Sequence, residues 1–411
     1  MACGRTENKT AAPATASTTP APAPWAITVQ PLQVPAPAGS GEPQLTPSRN
    51  GVVLSWLEQT GPKATLRFAE RASGTWSDAR TVASGSDWFV SAADVPSVMR
   101  MSDGTLVANW YQTTQIELEA YNLWLSYSRD EGKTWARPFM PHHDKTKTQH
   151  GFASLFELPE KGLGLVWLDA REWELAKDDP LGGAVMMRFA SFDPQWKQTA
   201  DETVNLKVCD CCQTSVAVTA DGVIIAFRDR SDGEVRDIHV SRREGGKWTD
   251  AVPVHQDNWE IDSCPVNGPA VSARGRDVAT AWFSAPKNEG HAYVAFSRDS
   301  GRTWEAPIRL DDAKSIGHVD VELLDDGSAV ATWVEFADGR GRFKTRRVER
   351  SGAKSTAIDI SGSGPGRVSG YPRLARSGDE LLFAWDESTN AEGSADVGQQ
   401  VKAAVAKLPA R

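Results

Sequence analysis

Tryptophan ends a short apolar segment at nearly regular intervals along the 411-residue chain. The segments GVVLSW, TLVANW, GLGLVW, DVATAW, SAVATW and ELLFAW end at Trp56, Trp110, Trp167, Trp282, Trp333 and Trp385. One interval of 115 residues is about twice the others, which run from 51 to 57, and the segment GVIIAF, ending at Phe227, fills it. Seven units therefore repeat with a period of about 55 residues, which is typical of a β-propeller and not of a helical solenoid.

Each unit has the same order of short segments: an apolar strand, a turn, the strand that ends in the aromatic residue, a polar loop and two further strands. This order predicts an all-β propeller of seven four-stranded blades. The chain ends before the last unit is complete, and residues 25–34 (WAITVQPLQV) form an apolar strand ahead of the first unit. We expect this strand to complete the last blade, because ring closure removes an exposed sheet edge.

Two segments match the pattern S-x-D-x-G-x-T-W, at residues 128–135 and 297–304, and degraded copies occur in other units. The pattern resembles the Asp-box, or BNR repeat, of the sialidase-like propeller family. In such a turn the aspartate accepts backbone N–H bonds, the glycine supplies a positive φ and the tryptophan packs on the blade, so we assign Asp130 and Asp299 no catalytic role. Sialidases of this family have six blades, so six is the alternative to seven.

The first residues and the overall charge bear on location and partners. Met1-Ala2-Cys3-Gly4 resembles the lipidation site of a bacterial lipoprotein, and residues 5–24 are mostly Ala, Pro, Thr and Ser, a composition typical of a linker. We therefore expect a linker over 1–24, a propeller over 25–411, and a periplasmic or outer-membrane lipoprotein held to the membrane only through Cys3.

A net charge of -9 argues against a nucleic-acid partner and leaves a glycan or a cell-envelope protein as the expected partner.

The cysteines are the most specific chemical feature. Apart from Cys3, the chain has Cys209, Cys211, Cys212 and Cys264. An offset of 55 residues between the fourth and fifth units aligns Cys209 with Cys264. In the same alignment His150 of the third unit corresponds to Cys212, and His318 of the sixth unit lies one position after this shared position. All six residues precede innermost strands, so we expect them at one end of the channel.

Three interpretations of the cysteines remain open. In an exported protein an even number of cysteines favours disulfides, with one bridge from Cys264 to the C-D-C-C segment and one local bridge. The same sulfurs, completed by His150 or His318, would suit copper or zinc. A redox dithiol is the third interpretation.

A sialidase resemblance implies a tyrosine nucleophile and an arginine triad that binds the substrate carboxylate. Tyr371 stands where the family has its nucleophile, and Arg228, Arg230 and Arg373 are candidate triad residues. The F/Y-R-I-P motif, which carries the first triad arginine in the family, is missing from this sequence. We therefore expect a binding or partner-docking module with a Cys-rich site. The alternatives are an exo-alpha-sialidase and a structural scaffold.

Overall fold

A computed structural model describes residues 25–115, 120–175, 183–337, 340–361, 367–388 and 399–409. Their strands form seven antiparallel sheets, and the first strands of all seven line one central cavity. The fold is therefore a seven-bladed β-propeller, which confirms the predicted fold class and excludes the six-bladed alternative. No helix among the described residues is long and apolar enough to cross a membrane.

The first described strand, β1 (Val29–Leu32), precedes blade 1. Blade 1 contains β2 (Ser40–Pro47), β3 (Gly51–Thr60), β4 (Lys63–Ala72), β5 (Thr75–Trp76) and β6 (Arg80–Gly85). Blade 2 contains β7 (Ser97–Arg100), β8 (Leu106–Gln115) and β9 (Ala120–Ser128). Blade 3 contains β10 (His150–Glu157), β11 (Leu163–Asp169), β12 (Met186–Phe192) and β13 (Gln198–Asn205), with the helix α1 (Glu172–Leu175) after β11.

Blade 4 contains β14 (Ser215–Thr219), β15 (Gly222–Arg228), β16 (Ile238–Glu244), β17 (Lys247–Trp248) and β18 (Val252–Pro253). Blade 5 contains β19 (Ala270–Arg274), β20 (Asp277–Ser284), β21 (His291–Ser297) and β22 (Ile308–Arg309), with a 3-10 turn at Pro286–Asn288. Blade 6 contains β23 (Ser315–Leu323), β24 (Ala329–Ala337), β25 (Arg340–Val348) and β26 (Ile358–Asp359). Blade 7 contains β27 (Arg367–Ser377), β28 (Glu380–Ser388) and β29 (Gln399–Lys407).

The ring closes between the two ends of the described chain. β1 pairs antiparallel with β29, with Val29 opposite Ala406 and Leu32 opposite Ala403, so β1 becomes the outermost strand of blade 7. This confirms the predicted closure. Blade 2 differs from the prediction, because its sheet has three strands in the described part of the chain. Its fourth position holds only a bridge between Leu125 and Phe139, in a segment where Pro138 and Pro141 cannot donate to a ladder.

The repeating aromatic residue of each blade packs against the preceding blade. Trp56, for example, lies in one buried cluster with residues of blade 7, and Trp282 lies in one with residues of blade 4. The same holds for Trp110, Trp167, Phe227, Trp333 and Trp385. The sequence period is therefore the period of the blade-to-blade contacts, which bury large aromatic surfaces.

The two turns that match S-x-D-x-G-x-T-W also join neighbouring blades. Asp130 accepts hydrogen bonds from the backbone N–H and the hydroxyl of Thr134, at 2.9 and 2.7 Å, and Asp299 makes the same pair of bonds to Thr303. A Cβ on Gly132 would lie 2.5 Å from Phe68 of blade 1, so the turn fits closely against the preceding blade. These contacts match the structural role expected for Asp130 and Asp299.

Candidate functional site

The inner strands of several blades share a bulge where they enter the channel. In blade 3, His150 pairs with Asp169, the register then shifts, and pairing resumes at Ser154 opposite Val166. Blades 1, 6 and 7 shift at the corresponding place. Such bulges redirect side chains and occur beside functional sites.

Blade 4 has a longer excursion at this position, and it carries Cys209, Cys211 and Cys212. Val208 bridges to Asp229, and pairing resumes only at Ser215 opposite Ala226, so six residues intervene where blade 3 has three. By this register His150 corresponds to Val208, which corrects its alignment with Cys212. The offset of 55 residues between blades 4 and 5 is retained, because Ser215 and Ala270 both pair with the residue before the closing aromatic.

The excursion gathers three sulfur atoms. The Sγ of Cys209 lies 3.3 Å from that of Cys212 and 3.8 Å from that of Cys211, and all three lie within 4.8 Å of one another. Cys209 and Cys212 are buried, with exposed fractions of 1% and 2%. Sulfurs around a tetrahedral zinc lie about 3.8 Å apart, since each Zn–S bond is about 2.3 Å. The Cys209–Cys211 distance matches this spacing, whereas the Cys209–Cys212 distance is shorter.

A second group of donor atoms adjoins the first. The Sγ of Cys211 also lies within 4.8 Å of both Cys264 Sγ and an Asp210 carboxylate oxygen. Cys264 is exposed, and its thiol donates to Asp210 at 3.4 Å. Cys211 therefore belongs to a buried group of three sulfurs and to an outer group that faces solvent.

The four cysteines in the described part of the chain form no disulfide and are free thiols. A disulfide needs an S–S distance of about 2.05 Å, and the sulfurs of Cys209 and Cys212 are farther apart than that. The predicted pair of disulfides is therefore not confirmed.

Positive charge and a backbone donor surround the buried sulfurs. Arg236 donates to Cys209 Sγ at 3.4 Å, and the backbone N–H of Asn267 in blade 5 donates to Cys212 Sγ at 3.4 Å. Hydrogen bonds from the thiols of Cys211 and Cys212 lower the pKa of Cys209, and the charge of Arg228 lowers it further. Burial raises the pKa of Cys212, and the hydrogen bond to Cys209 raises that of Cys211.

The two histidines predicted as ligands lie outside both sulfur groups. His150 is buried beside His142, with ring centroids 3.9 Å apart, and its Nε2 lies 3.2 Å from Asp144 and 3.8 Å from Asp169. The ring of His318 stacks on Tyr371 with centroids 4.2 Å apart. The backbone N–H of His318 donates at 2.8 Å to Asn267, so its link to the cysteines runs through that residue.

Of the four candidate sialidase residues, Tyr371 and Arg373 lie together, with the Arg373 guanidinium carbon 6.0 Å from the centre of the Tyr371 ring, whereas Arg228 and Arg230 are held by other partners. Arg228 is fully buried and donates to the backbone carbonyls of Asn267, Arg236 and Phe283. Arg230 pairs with Glu234 at 2.8 Å, whereas Arg373 lines the channel. With its nitrogens bonded to carbonyl groups, Arg228 has no donor directed at a substrate carboxylate.

Tyr371 is held by the backbone. Its hydroxyl donates to the carbonyl of Val266, and burial raises its pKa. Among the described residues that act most on this pKa are Gln213, Cys212 and Arg373, none of which is a carboxylate. In the described part of the chain no carboxylate is thus a main influence on the phenol, whereas a nucleophilic tyrosine needs an adjacent base.

Sequence reasoning missed several buried acids at the same end of the channel. Asp94 accepts the backbone N–H of Phe152 at 2.7 Å, and Asp386 accepts that of Glu42 at 3.1 Å. Each bond joins one blade to the bulge of the next. Burial raises the pKa of Asp94 to about 7 and that of Asp386 to about 8. The one sequence signal for Asp386 is its position directly after the repeating Trp385.

A central cavity of about 420 Å³ lies between the inner strands of the blades. Neutral polar side chains such as Gln44, Ser97 and Ser154 line it, together with Arg373, Asp320 and Glu322. The charge of Asp320 acts on Arg373, whose Nε is buried without a hydrogen-bond partner. The cavity is polar, so its lining differs from that of an apolar ligand pocket.

Comparison with solved structures finds proteins of the same architecture. The polysaccharide lyase Uly1 superposes with a TM-score of 0.52 at 9% identity, over 90% of this chain and 90% of that one. The phage phi92 endosialidase gives a TM-score of 0.50 at 9% identity, over 94% of this chain and 70% of that one. The likeness is one of fold.

The NanB sialidase of Streptococcus pneumoniae has a TM-score of 0.48 at 11% identity, over 87% of this chain and 83% of that one. No model of a known protein family matches the sequence, and no curated protein is significantly similar to it. At these identities the neighbours share a propeller with this chain, and a shared fold does not transfer an activity.

Proposed function

We propose that this propeller is a soft-metal binding module that holds monovalent copper through Cys209, Cys211 and Cys212. The observation that carries the proposal is the mutual approach of the three sulfurs within 4.8 Å. Thiolates are the ligands that select Cu(I) and zinc in proteins. Cu(I) is the better match, because a structural zinc site takes four ligands and the buried group in the described chain offers three.

The surroundings support a charged thiolate site. Three thiolates around a monovalent ion leave a net charge of -2, and Arg236 and Arg228 both lie close enough to act on Cys209. Buried charge is tolerated when it is paired and hydrogen-bonded. The Asn267 N–H supplies a further donor to Cys212. The three cysteines bind the metal as thiolates, so loading releases the protons of those that are thiols.

The test is metal content together with thiol count in the full chain. Purified anaerobically with a reductant and supplied with Cu(I), the protein should retain one copper per chain in competition with a chromophoric Cu(I) chelator. Replacing Cys212 by serine should weaken affinity by more than about 100-fold, since loss of a mere supporting residue already costs about 10- to 100-fold. Cys3→Ser is the matched control, because it removes a cysteine from a different part of the sequence. Equal copper retention by the Cys212 variant, or non-reducing mass spectrometry that finds two disulfides, would overturn the proposal.

We further propose that the module is exported and anchored by lipid at Cys3, within the N-terminal linker of residues 1–24. These residues lie outside the described part of the chain, and the proposal rests on the lipoprotein-like Met1-Ala2-Cys3-Gly4. A lipidated protein partitions into detergent and takes up labelled palmitate. The Cys3→Ser variant should do neither, and equal labelling of both forms would exclude the anchor.

A further inference from the structure

The metal site has two overlapping groups of donors that differ in exposure. The inner group is Cys209, Cys211 and Cys212, and the outer group is Asp210, Cys211 and Cys264. Exposure falls steadily from Cys264, which is exposed, through Cys211, which is partly buried, to Cys209 and Cys212, which are buried. Cys211 is the member that the two groups share.

The inference from this arrangement rests on the proposed function and adds a route by which copper reaches the site. We propose that Cu(I) enters through the outer group, where Cys264 and Cys211 take it from a thiol-bearing donor, and then moves to the inner group while Cys211 stays bound. The partner is thus a molecule that carries Cu(I) on thiolates, since a donor of that kind exchanges ligands one at a time.

The geometry supports each stage of the transfer. Asp210 accepts the Cys264 thiol at 3.4 Å and lies 3.6 Å from Arg236, so the exposed sulfur is held at the mouth of the site. The buried sulfurs, at 1% and 2% exposure, offer little surface to a bulky donor. Exchange between sulfur ligands depends on access to the attacking thiol. Cys264, as an exposed first ligand, therefore gives a bulky donor a sulfur that it can reach, which the buried group does not.

The transfer balances without a change of oxidation state. Bonds from Cu(I) to two donor sulfurs break as bonds from Cu(I) to Cys264 and Cys211 form, and the two released donor thiolates take up the protons that the Cys264 and Cys211 thiols give up. In the second stage Cys209 and Cys212 bind Cu(I) as its bond to Cys264 breaks; the Cys264 thiolate takes up one of the protons that they release, and solvent takes up the other. Copper remains Cu(I) throughout, so no oxidant or reductant takes part.

Rate and equilibrium measurements on the same variants separate this inference from the proposed function. Cu(I) bound to glutathione is mixed with the anaerobic, reduced full-length protein, and the thiolate-to-copper charge-transfer absorption is followed by stopped flow. Affinity is measured separately by competition with a chelator. Cys264→Ser should slow loading by about tenfold or more, because access limits sulfur exchange, while its affinity falls by no more than about tenfold, the lower end of the cost of losing a residue that supports a ligand.

Further variants make the test specific. Cys212→Ser should weaken affinity, Cys3→Ser should change neither quantity, and Asp210→Asn, which keeps an acceptor for the thiol, should load faster than Cys264→Ser. Loading of Cys264→Ser at the wild-type rate would overturn the inference, as would an equal loss of affinity in Cys264→Ser and Cys212→Ser. Failure of the wild-type protein to bind Cu(I) at all would instead overturn the proposed function.

Discussion

The backbone N–H of Asn267 donates to the sulfur of Cys212 at 3.4 Å, across the boundary between blades 4 and 5. The same asparagine accepts the N–H of His318 in blade 6 at 2.8 Å. The proposed metal site is therefore part of the contact between blades, and a ligand there stabilises more than one loop.

Copper binding should raise the thermal stability of the whole propeller. A ligand that binds only the folded state stabilises it by about 2.7 kcal/mol at a free concentration of 100 times Kd. We expect a higher Tm for the wild-type protein and for Cys3→Ser when Cu(I) is supplied under anaerobic conditions. Cys212→Ser should show no comparable rise, and differential scanning calorimetry measures all three. An equal rise in Cys212→Ser would argue that copper binds elsewhere.

Sialidase activity should be absent. Tyr371 donates to a backbone carbonyl and Arg228 is bound by three others, so neither is disposed to act on a sialoside. We expect no release of fluorophore from a fluorogenic sialoside, with an active sialidase as the positive control. Turnover that disappears in Tyr371→Phe would contradict this and make Tyr371 the nucleophile.

Stability should fall as pH rises through the neutral range, because buried acids must ionise. Burial raises the pKa of Glu42 to about 7, and burial and then the charge of Glu42 raise that of Asp386 to about 8. Both values exceed those of the unfolded chain, about 4, so the folded state binds more protons between about pH 4 and about pH 8. The free energy of unfolding therefore decreases with pH across this window.

Asp386→Asn removes one of these titrations and keeps an oxygen that accepts the Glu42 N–H. Relative to wild type, this variant should be more stable at about pH 9 than at about pH 5. Urea unfolding at the two pH values measures the difference, and Asp379→Asn, at an exposed position, is the control. A difference between wild type and Asp386→Asn that is the same at both pH values would contradict the assignment.

Two glycines test how closely the turn of blade 5 packs on blade 4. Gly301 and Gly275 both have positive φ, of 83° and 60°, so alanine strains the backbone at either. A Cβ at position 301 would also lie 2.3 Å from Ile224, whereas one at 275 meets nothing within 4 Å. Gly301→Ala should lower the free energy of unfolding by about 1–3 kcal/mol more than Gly275→Ala, because overpacking adds to the strain. Urea unfolding compares them, and equal losses would show that the turn adjusts freely.

Several features followed from the sequence because they depend on local pattern. The aromatic residue recurs once per blade, and its spacing alone predicts the number of blades. The incomplete last unit and the unassigned strand at 25–34 together predict the closure that β1 and β29 make. The offset of 55 residues between blades 4 and 5 also holds in their inner strands, since Val216 and Val271 each pair with the second residue before the closing aromatic.

Other features were decided only by the tertiary structure. The excursion at Cys209–Cys212 is three residues longer than the bulge of blade 3, so sequence alignment misplaced His150 relative to the cysteines. Arg236 lies 27 residues from Cys209 in the sequence and donates to its sulfur, and no sequence pattern predicts this contact. The sequence by itself determined the repeat, because each blade buries the same kind of residue at the same step. Which side chains meet at the channel end was set by the bulges and by the packing of one blade on the next, since contacts between distant residues exist only once the ring has closed.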